Sequence, residues 1–317
     1  MECIICDKTA NATGSHVVPA SLIQKCVGKH YSEESYQIDS SEATVDVYFG
    51  RDNSNNTNPE IKEHHYKADN ILCQTCENKL GKLEGEFSTE FLQKFRAEKF
   101  KHNFNSYQID SGLEILESNK LTNLKIHAYF YSIILRFCRI TNAKNEHPII
   151  LTEKELNKIK SFVYGYLYEE KDYIESVSDF NLMLTFDKYS IEGSLVFAFE
   201  EYSDPYTFYF CEAIVNLFTN KDKISKDFND CMNTIKQSKT KIIVGPSVFY
   251  QELKSKAYRA SIDDINTNFI DELCELNSKS FEENYMELNM LVLKYEKEKI
   301  ENPLFSALTI LRKKYKS

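Results

Sequence analysis

Apolar positions along the chain predict a series of helices in its middle part. Apolar residues recur at near-helical spacing over about 83–101, which predicts a helix there. The segment 121–140 is apolar almost all round, as expected of a buried helix. Thr152 followed by Glu155 is a capping-box pattern, so we predict a third helix that ends near residue 168.

Strand patterns follow in the second half. The segments rich in β-branched and aromatic residues are 181–187, 194–202, 206–215 and 241–246. The first three predict consecutive strands, and the fourth predicts a strand that Gly-Pro ends. Helical patterns return over 263–298 and 303–315. The order of elements predicts an α+β body, mostly helical, with a small antiparallel sheet.

The N-terminal third is different in character. Residues 31–68 form a long polar stretch, in which VDVYF (45–49) predicts a short strand and RDNSNNTNP (51–59) a surface loop. We therefore predict two domains: a small module over 1–105 with an inserted polar loop, and a larger body over 106–317.

Composition limits the possible functions. The 317 residues carry a net charge of −9, and an acidic chain does not attract nucleic acid through its overall field. No apolar run is long enough to span a bilayer, and no signal-peptide pattern follows the first cysteines. We expect a cytoplasmic protein without a membrane partner, in which thiols stay reduced.

Two Cys-x-x-Cys pairs carry the clearest chemistry. They are Cys3 with Cys6 and Cys73 with Cys76. Each such turn directs two sulfurs at one point, and two turns complete the tetrahedral thiolate shell of a structural Zn²⁺ ion. Two accidental pairs or a thiol redox motif are the alternatives. Of the other five cysteines, the apolar surroundings of Cys138, Cys211 and Cys274 predict core positions, and Cys26 and Cys231 have no assigned role.

The residues around these pairs are similar to a known family. Ser15-His16-Val17-Val18-Pro19 lies between the pairs, Asp69-Asn70-Ile71-Leu72 leads into the second, and Glu77-Asn78-Lys79-Leu80-Gly81 follows it. This order resembles HNH endonucleases of the zinc-stapled treble-clef type, in particular a bacterial branch found in phage-defence loci. The resemblance covers roughly residues 1–90.

The resemblance implies a ββα-metal nuclease. In it, His16 matches the general base that deprotonates the attacking water, and Asn70 matches the residue that orients this histidine. A divalent cation, Mg²⁺ or Mn²⁺, would stabilise charge at the scissile phosphate. A neutral imidazole suits this role at pH 7, and a strand fixed between two zinc knuckles would hold it still.

The chain departs from the family at the catalytic metal. Ser15 stands where the family usually has an acidic residue, and Glu77 stands where its last histidine is common. Glu84 matches an acidic position of the closer branch. Carboxylates suit Mg²⁺ and Mn²⁺, so Glu77 or Glu84, with His64 or His65, is the candidate ligand set. The alternative is that the metal site is lost.

Structural interpretations stand beside these roles. His16 could be a structural histidine of the zinc loop, Asn70 a turn residue, and Glu77 and Glu84 solvated charges. In the body, Arg136 and Arg139 could contact phosphate or form a buried salt bridge. The basic segment RKKYK (312–316) could meet nucleic acid or simply be solvated.

Three functions are compatible with these residues. The first is a metal-dependent HNH-type endonuclease that cuts DNA rather than RNA, whose body recognises a signal or a protein partner such as an ATPase subunit. The second is a zinc-stapled interaction protein that has lost catalysis. The third is a toxin-type RNase with the same N-terminal module. No Walker motif or dinucleotide-binding loop is present, which argues against nucleotide hydrolysis by this chain.

Overall fold

The fold is that of a computed structural model. The residues that the structure describes are 1–27, 35–39, 44–48, 67–109, 113–118, 120–144, 151–188, 196–198, 203–245, 247–300 and 303–316. Contacts divide the chain into two compact units, one drawn from residues 1–34, 49–57 and 63–251 and the other from 35–48, 58–62 and 252–317. The predicted domain boundary after residue 105 therefore falls inside the first unit.

Helices and strands occur in short runs along the chain. The α-helices are α1 (Ala20–Val27), α2 (Gln74–Phe87), α3 (Gln93–Arg96), α4 (Asn123–Lys144), α5 (Glu153–Tyr168), α6 (Ser247–Asn277), α7 (Phe281–Lys297) and α8 (Pro303–Lys316). The strands are β1 (Ser15–His16), β2 (Ser35–Asp39), β3 (Thr44–Tyr48), β4 (Lys67–Ala68), β5 (Asn105–Gln108), β6 (Glu114–Ser118), β7 (Asn181–Asp187), β8 (Val196–Ala198), β9 (Tyr206–Phe210), β10 (Ala213–Phe218), β11 (Met232–Thr234) and β12 (Thr240–Gly245).

The α+β class is confirmed, but the sheet is larger than the predicted small sheet and is mixed rather than purely antiparallel. Eight of the described strands form one sheet in the order β5-β6-β12-β7-β10-β9-β8, with β11 also paired to β7. The pair β12–β7 is parallel. Part of the difference lies at 206–215, where a turn at Cys211 (φ 61°) makes two strands, β9 and β10, from one apolar run.

Helix predictions hold best where a cap is visible in the sequence. Thr152 caps α5, and its hydroxyl and the Glu155 carboxylate form the predicted capping box. The helix expected from about residue 83 begins at Gln74, because Cys73 caps it through its sulfur. A π-helical turn over Ser88–Leu92 then joins α2 to α3.

One hydrophobic core runs through the first unit. It contains residues beside the cysteine pairs, such as Leu72 and Leu80, together with Phe130 of α4 and Val215 of β10. Phe91 at the π-helical turn contacts Phe186 of β7 edge to face, with ring centres 4.8 Å apart. The N-terminal residues are thus buried against the same core as the sheet.

The second unit has a core of its own. The hairpin β2–β3 lies in this unit, and β3 (Thr44–Tyr48) nearly coincides with the strand predicted at 45–49. From Glu252 onward, α6 contributes Phe269 to the second core, α7 contributes Leu288 and α8 contributes Leu311. The pattern over 263–298 is two helices rather than one, because the chain turns at Ser278 (φ 59°) before α7 begins.

Two predictions on surface segments have different outcomes. The loop predicted at 51–59 lies outside the described residues. The basic segment 312–316 is helical, with Arg312 paired to Glu272 at 2.5 Å and Lys314 to Glu287 at 2.6 Å. Among the helices of the described part of the chain, none is both long and apolar enough to cross a membrane.

Candidate functional site

The four predicted cysteines converge at one point. The Sγ atoms of Cys3, Cys6, Cys73 and Cys76 all lie within 4.8 Å of one another, and those of Cys6 and Cys73 are 3.5 Å apart. Four thiolates around a tetrahedral Zn²⁺ ion, with Zn–S bonds of about 2.3 Å, require S···S separations of about 3.8 Å. The cluster has the donor set and dimensions to hold a metal ion.

A tight turn shapes the first pair. The backbone N–H of Cys3 donates to the carbonyl of Lys8 (2.7 Å), and the N–H of Asp7 donates to the carbonyl of Cys3 (3.0 Å). Asp7 adopts a left-handed conformation with φ 58°, and a bridge between Glu2 and Thr9 closes the turn. This geometry directs both sulfurs of the first pair to the same side.

The second pair lies at the first turn of α2. Cys73 is the N-cap residue, and its Sγ accepts a hydrogen bond from the N–H of Cys76 at 3.5 Å. The positive end of the helix dipole and the N–H groups of this turn favour thiolates. The chain reaches this position because the N–H of Ile4 donates to the carbonyl of Ile71 (3.0 Å), which joins the two pairs.

The thiols interact electrostatically. A hydrogen bond with Cys76 lowers the pKa of Cys3 to about 4 and raises that of Cys76. Burial raises the pKa of Cys6. A thiolate is therefore already stabilised within the cluster, and the thiolate is the form that binds metal.

Helix α5 contacts this cluster from the body. The hydroxyl of Tyr168 lies 3.3 Å from Sγ of Cys76, and Lys160 pairs with Asp7 of the first turn. Lys79 donates to the carbonyl of Leu167 at 2.7 Å. The last residue of α5 thus places a hydroxyl beside one sulfur of the cluster.

His16 lies on a two-stranded ladder beside the cluster. β1 pairs antiparallel with β4, so that His16 is opposite Lys67 and Ser15 is opposite Ala68. Burial lowers the pKa of His16 to about 4, and the positive charges of Lys67 and Arg136 act in the same direction. The imidazole is therefore neutral at pH 7.

Arg136 joins the histidine strand to α2. Its side chain is buried, and one guanidinium nitrogen donates to the carbonyl of His16 at 2.5 Å. The other donates to Oε1 of Glu84 at 2.7 Å. Arg136 was predicted either to contact phosphate or to form a buried salt bridge, and in the structure it forms the salt bridge with Glu84. Arg139 is instead paired with Glu153 at 2.8 Å.

Glu77 and Glu84 lie seven residues apart, on one face of α2. Burial raises the pKa of Glu84, the Arg136 guanidinium opposes this shift, and the charge of Glu77 adds to it. Oε2 of Glu77 is buried, and within the described part of the chain it has no hydrogen-bond partner. A buried carboxylate oxygen without a partner is costly in free energy unless a cation or a donor completes it.

The remaining predicted residues lie in different settings. Asn70 is exposed in the turn between β4 and α2, with φ 58°, and its N–H donates to the carbonyl of Ala12 at 2.8 Å. Ser15 is buried, and its Oγ has no hydrogen-bond partner among the described residues. His64 and His65 lie outside the described residues.

Sequence reasoning missed two contacts around the site and foresaw a third only as one of two alternatives. Asp69 accepts a hydrogen bond from the N–H of Gly14 at 2.6 Å, which ties the turn before α2 to the residue before β1. Tyr168 gave no signal, because a tyrosine at a helix end is common. The sequence did contain a signal for the role of Arg136, since a buried arginine within an apolar helix must find a partner.

Comparisons of the chain with protein-family models, with curated proteins and with solved structures found no match.

Proposed function

We propose that this protein is a metal-dependent endonuclease of the HNH type, which hydrolyses phosphodiester bonds in nucleic acid, DNA in preference to RNA. One observation carries the proposal. The strand of His16 pairs antiparallel with β4, which leads into the helix that bears Glu77 and Glu84, and one buried oxygen of Glu77 has no hydrogen-bond partner among the described residues. The ladder β1–β4 followed by α2 supports the treble-clef interpretation of residues 1–105, with Zn²⁺ on the four cysteines.

His16 suits the role of general base. Its pKa of about 4 keeps the imidazole neutral at pH 7, and the neutral imidazole is the form of histidine that can accept a proton. Its backbone is fixed on both sides, by the ladder to Lys67 and by the hydrogen bond from Arg136. A base held in this way needs little reorganisation when it removes a proton.

Glu77 is the better of the two candidate ligands for Mg²⁺ or Mn²⁺. Its buried oxygen, which has no partner within the described ranges, matches the oxygen ligands that these ions prefer, whereas Glu84 is already paired with Arg136. When bound, the ion would supply positive charge for the phosphate and the leaving oxygen. Glu84 then acts through Arg136 to hold the strand of His16 beside α2.

Plasmid cleavage tests the proposal directly. Wild type, His16→Ala and the control His102→Ala, which alters an exposed histidine, are compared at equal zinc content in Mg²⁺, Mn²⁺ and EDTA. We expect metal-dependent cutting that His102→Ala retains and His16→Ala loses. Equal cutting by wild type and His16→Ala would refute the role of His16. A parallel assay on RNA separates a DNase from a toxin-type RNase.

A second function is favoured by one observation. The pair of Arg136 with Glu84 and its hydrogen bond to the His16 carbonyl are contacts that a purely structural core would also use. In that case the N-terminal module is a zinc-stapled binding surface without catalysis. Absence of cleavage on DNA and RNA in every metal, together with full stability and unchanged partner capture by His16→Ala, would support it.

The wider setting is part of the same proposal. A net charge of −9 opposes unaided binding to nucleic acid, so the body would act by engaging a partner, such as an ATPase subunit, that delivers the substrate. Four thiols that hold a metal require a reducing compartment, which fits the cytoplasm and a role in prokaryotic antiviral defence.

A further inference from the structure

The outward face of α7 differs from an ordinary solvated helix surface. Its inward face contributes Leu288 and Tyr295 to the core of the second unit. On the outward face, Met286, Met290 and Leu293 are 62%, 63% and 55% exposed. Three large apolar side chains at i, i+4 and i+7 form one continuous stripe, and exposed apolar stripes of this kind mark interaction sites.

Opposite charges stand at the two ends of this stripe. Glu282 lies one helical turn before Met286, Lys297 lies one turn after Leu293, and both are exposed. The stripe from Glu282 to Lys297 spans about 22 Å, the length of four helical turns. Its sequence along the face is therefore acidic, apolar and basic in order.

We propose that this face pairs with the same face of a second copy of the chain, the two α7 helices running antiparallel about a two-fold axis between Asn289 and Met290. In this register Met286 lies opposite Leu293 of the second copy. Glu282 lies opposite Lys297 of the second copy. Because of the two-fold symmetry, the Met286–Leu293 contact and the Glu282–Lys297 contact each occur twice. Because a two-fold interface must be complementary to itself, the acidic-apolar-basic order fits a second copy, whereas a parallel pairing would bring like charges together.

The inference does not depend on the proposed nuclease activity. The apolar contacts provide the free energy, and the charged ends fix the direction and register of pairing. Glu287, the other acidic residue of the central turns, is engaged by Lys279 at 2.7 Å and by Lys314 at 2.6 Å within the same chain. Glu287 is therefore already paired within its own chain and does not compete with Glu282 for Lys297 of the second copy.

Light scattering after size exclusion, across concentrations up to roughly 100 µM, measures the dimer. We expect wild type to dimerise and Met286→Glu with Met290→Glu to be monomeric. Each of Glu282→Lys and Lys297→Glu should weaken the dimer by about tenfold or more, because every change acts twice across the axis. Circular dichroism confirms that these surface variants remain folded.

Mixing the two charge variants is the experiment that tests the antiparallel register. In the antiparallel register, Glu282→Lys in one chain and Lys297→Glu in the other restore both opposite-charge pairs, so the mixture should form a heterodimer near wild-type affinity. A monomeric wild type would overturn the proposal and leave this face for a different protein. Dimers insensitive to the methionine changes, or a mixture that stays monomeric, would overturn it too.

Discussion

The hydroxyl of Tyr168 lies 3.3 Å from Sγ of Cys76, so the last residue of α5 contacts the four-cysteine cluster. The ammonium of Lys79 lies 4.7 Å from the centre of the same tyrosine ring. When four thiolates surround a divalent ion, the complex carries net negative charge, which a hydrogen-bond donor and a nearby cation stabilise. The body of the protein therefore contacts the four cysteines that could hold a metal ion.

Removing this hydroxyl should weaken metal binding. We expect Tyr168→Phe to lower Zn²⁺ affinity by about tenfold, because an outer hydrogen bond to a ligand is lost while the ring is kept. Competition with a chromophoric chelator gives the affinity. Tyr164→Phe is the matched control, since that ring is stacked on Tyr168 with centres 4.7 Å apart. Equal affinities in wild type and Tyr168→Phe would show that the contact has no energetic role.

The cysteine cluster should determine the stability of the first unit. Cys73→Ser with Cys76→Ser should abolish stoichiometric zinc and lower the melting temperature, since metal-binding free energy contributes directly to folding. Chelator treatment of wild type should produce the same shift. Metal analysis and thermal unfolding provide the measurements, with Cys274→Ala in the second unit as control. A wild type purified without metal and unaffected by chelator contradicts the prediction.

Breaking the pair of Arg136 and Glu84 should be costly. Arg136→Met leaves a buried carboxylate without its cation and should reduce the free energy of unfolding by roughly 3 kcal/mol. Adding Glu84→Gln should recover part of this loss, because the uncompensated charge is removed. Urea denaturation of the two single variants and the double variant gives the coupling energy. Additive losses would mean that the two side chains act independently.

Replacing Glu77 should abolish binding of the proposed catalytic Mg²⁺ or Mn²⁺ ion and should change the stability of the fold little. We expect Glu77→Gln to lose Mn²⁺ binding while the free energy of unfolding stays within about 0.5 kcal/mol or rises, because the replaced carboxylate has a buried oxygen with no hydrogen-bond partner among the described residues. Calorimetric titration of zinc-loaded protein with Mn²⁺ tests this. Glu86→Gln on the same helix is the control, since Glu86 forms a partly exposed pair with Lys125. Retained Mn²⁺ binding by Glu77→Gln would exclude Glu77 as a ligand.

Stability should fall as the pH falls through the weakly acidic range. Burial lowers the pKa values of His16 and His127 to about 4 in the folded state, against 6.5 in the unfolded chain. The unfolded state therefore binds more protons between these values, and stability present above pH 6.5 is lost toward pH 4. His16→Gln should reduce proton uptake on unfolding at pH 5 by about one. An unchanged slope of unfolding free energy against pH would contradict the shift of His16.

Sequence patterns predicted the structure reliably where a few neighbouring residues are enough to define the element. The capping box at Thr152 and Glu155, and the strand at 181–187, were predicted with their bounds nearly correct. Longer patterns failed where a single residue interrupts them. The turn at Cys211 divides one apolar run into two strands. The sequence did not predict this turn, because the run contains no glycine or proline.

For the site, the sequence by itself determined the two cysteine pairs, the histidine between them and the acidic residues that follow. Spacing is sufficient there, since Cys-x-x-Cys turns have few geometries. Only the tertiary structure decided what surrounds them. Arg136 and Tyr168 reach the site from α4 and α5 through packing between distant segments, and no local pattern encodes such contacts. Burial, which sets the pKa of His16 and isolates one oxygen of Glu77, likewise arises only once these helices have packed.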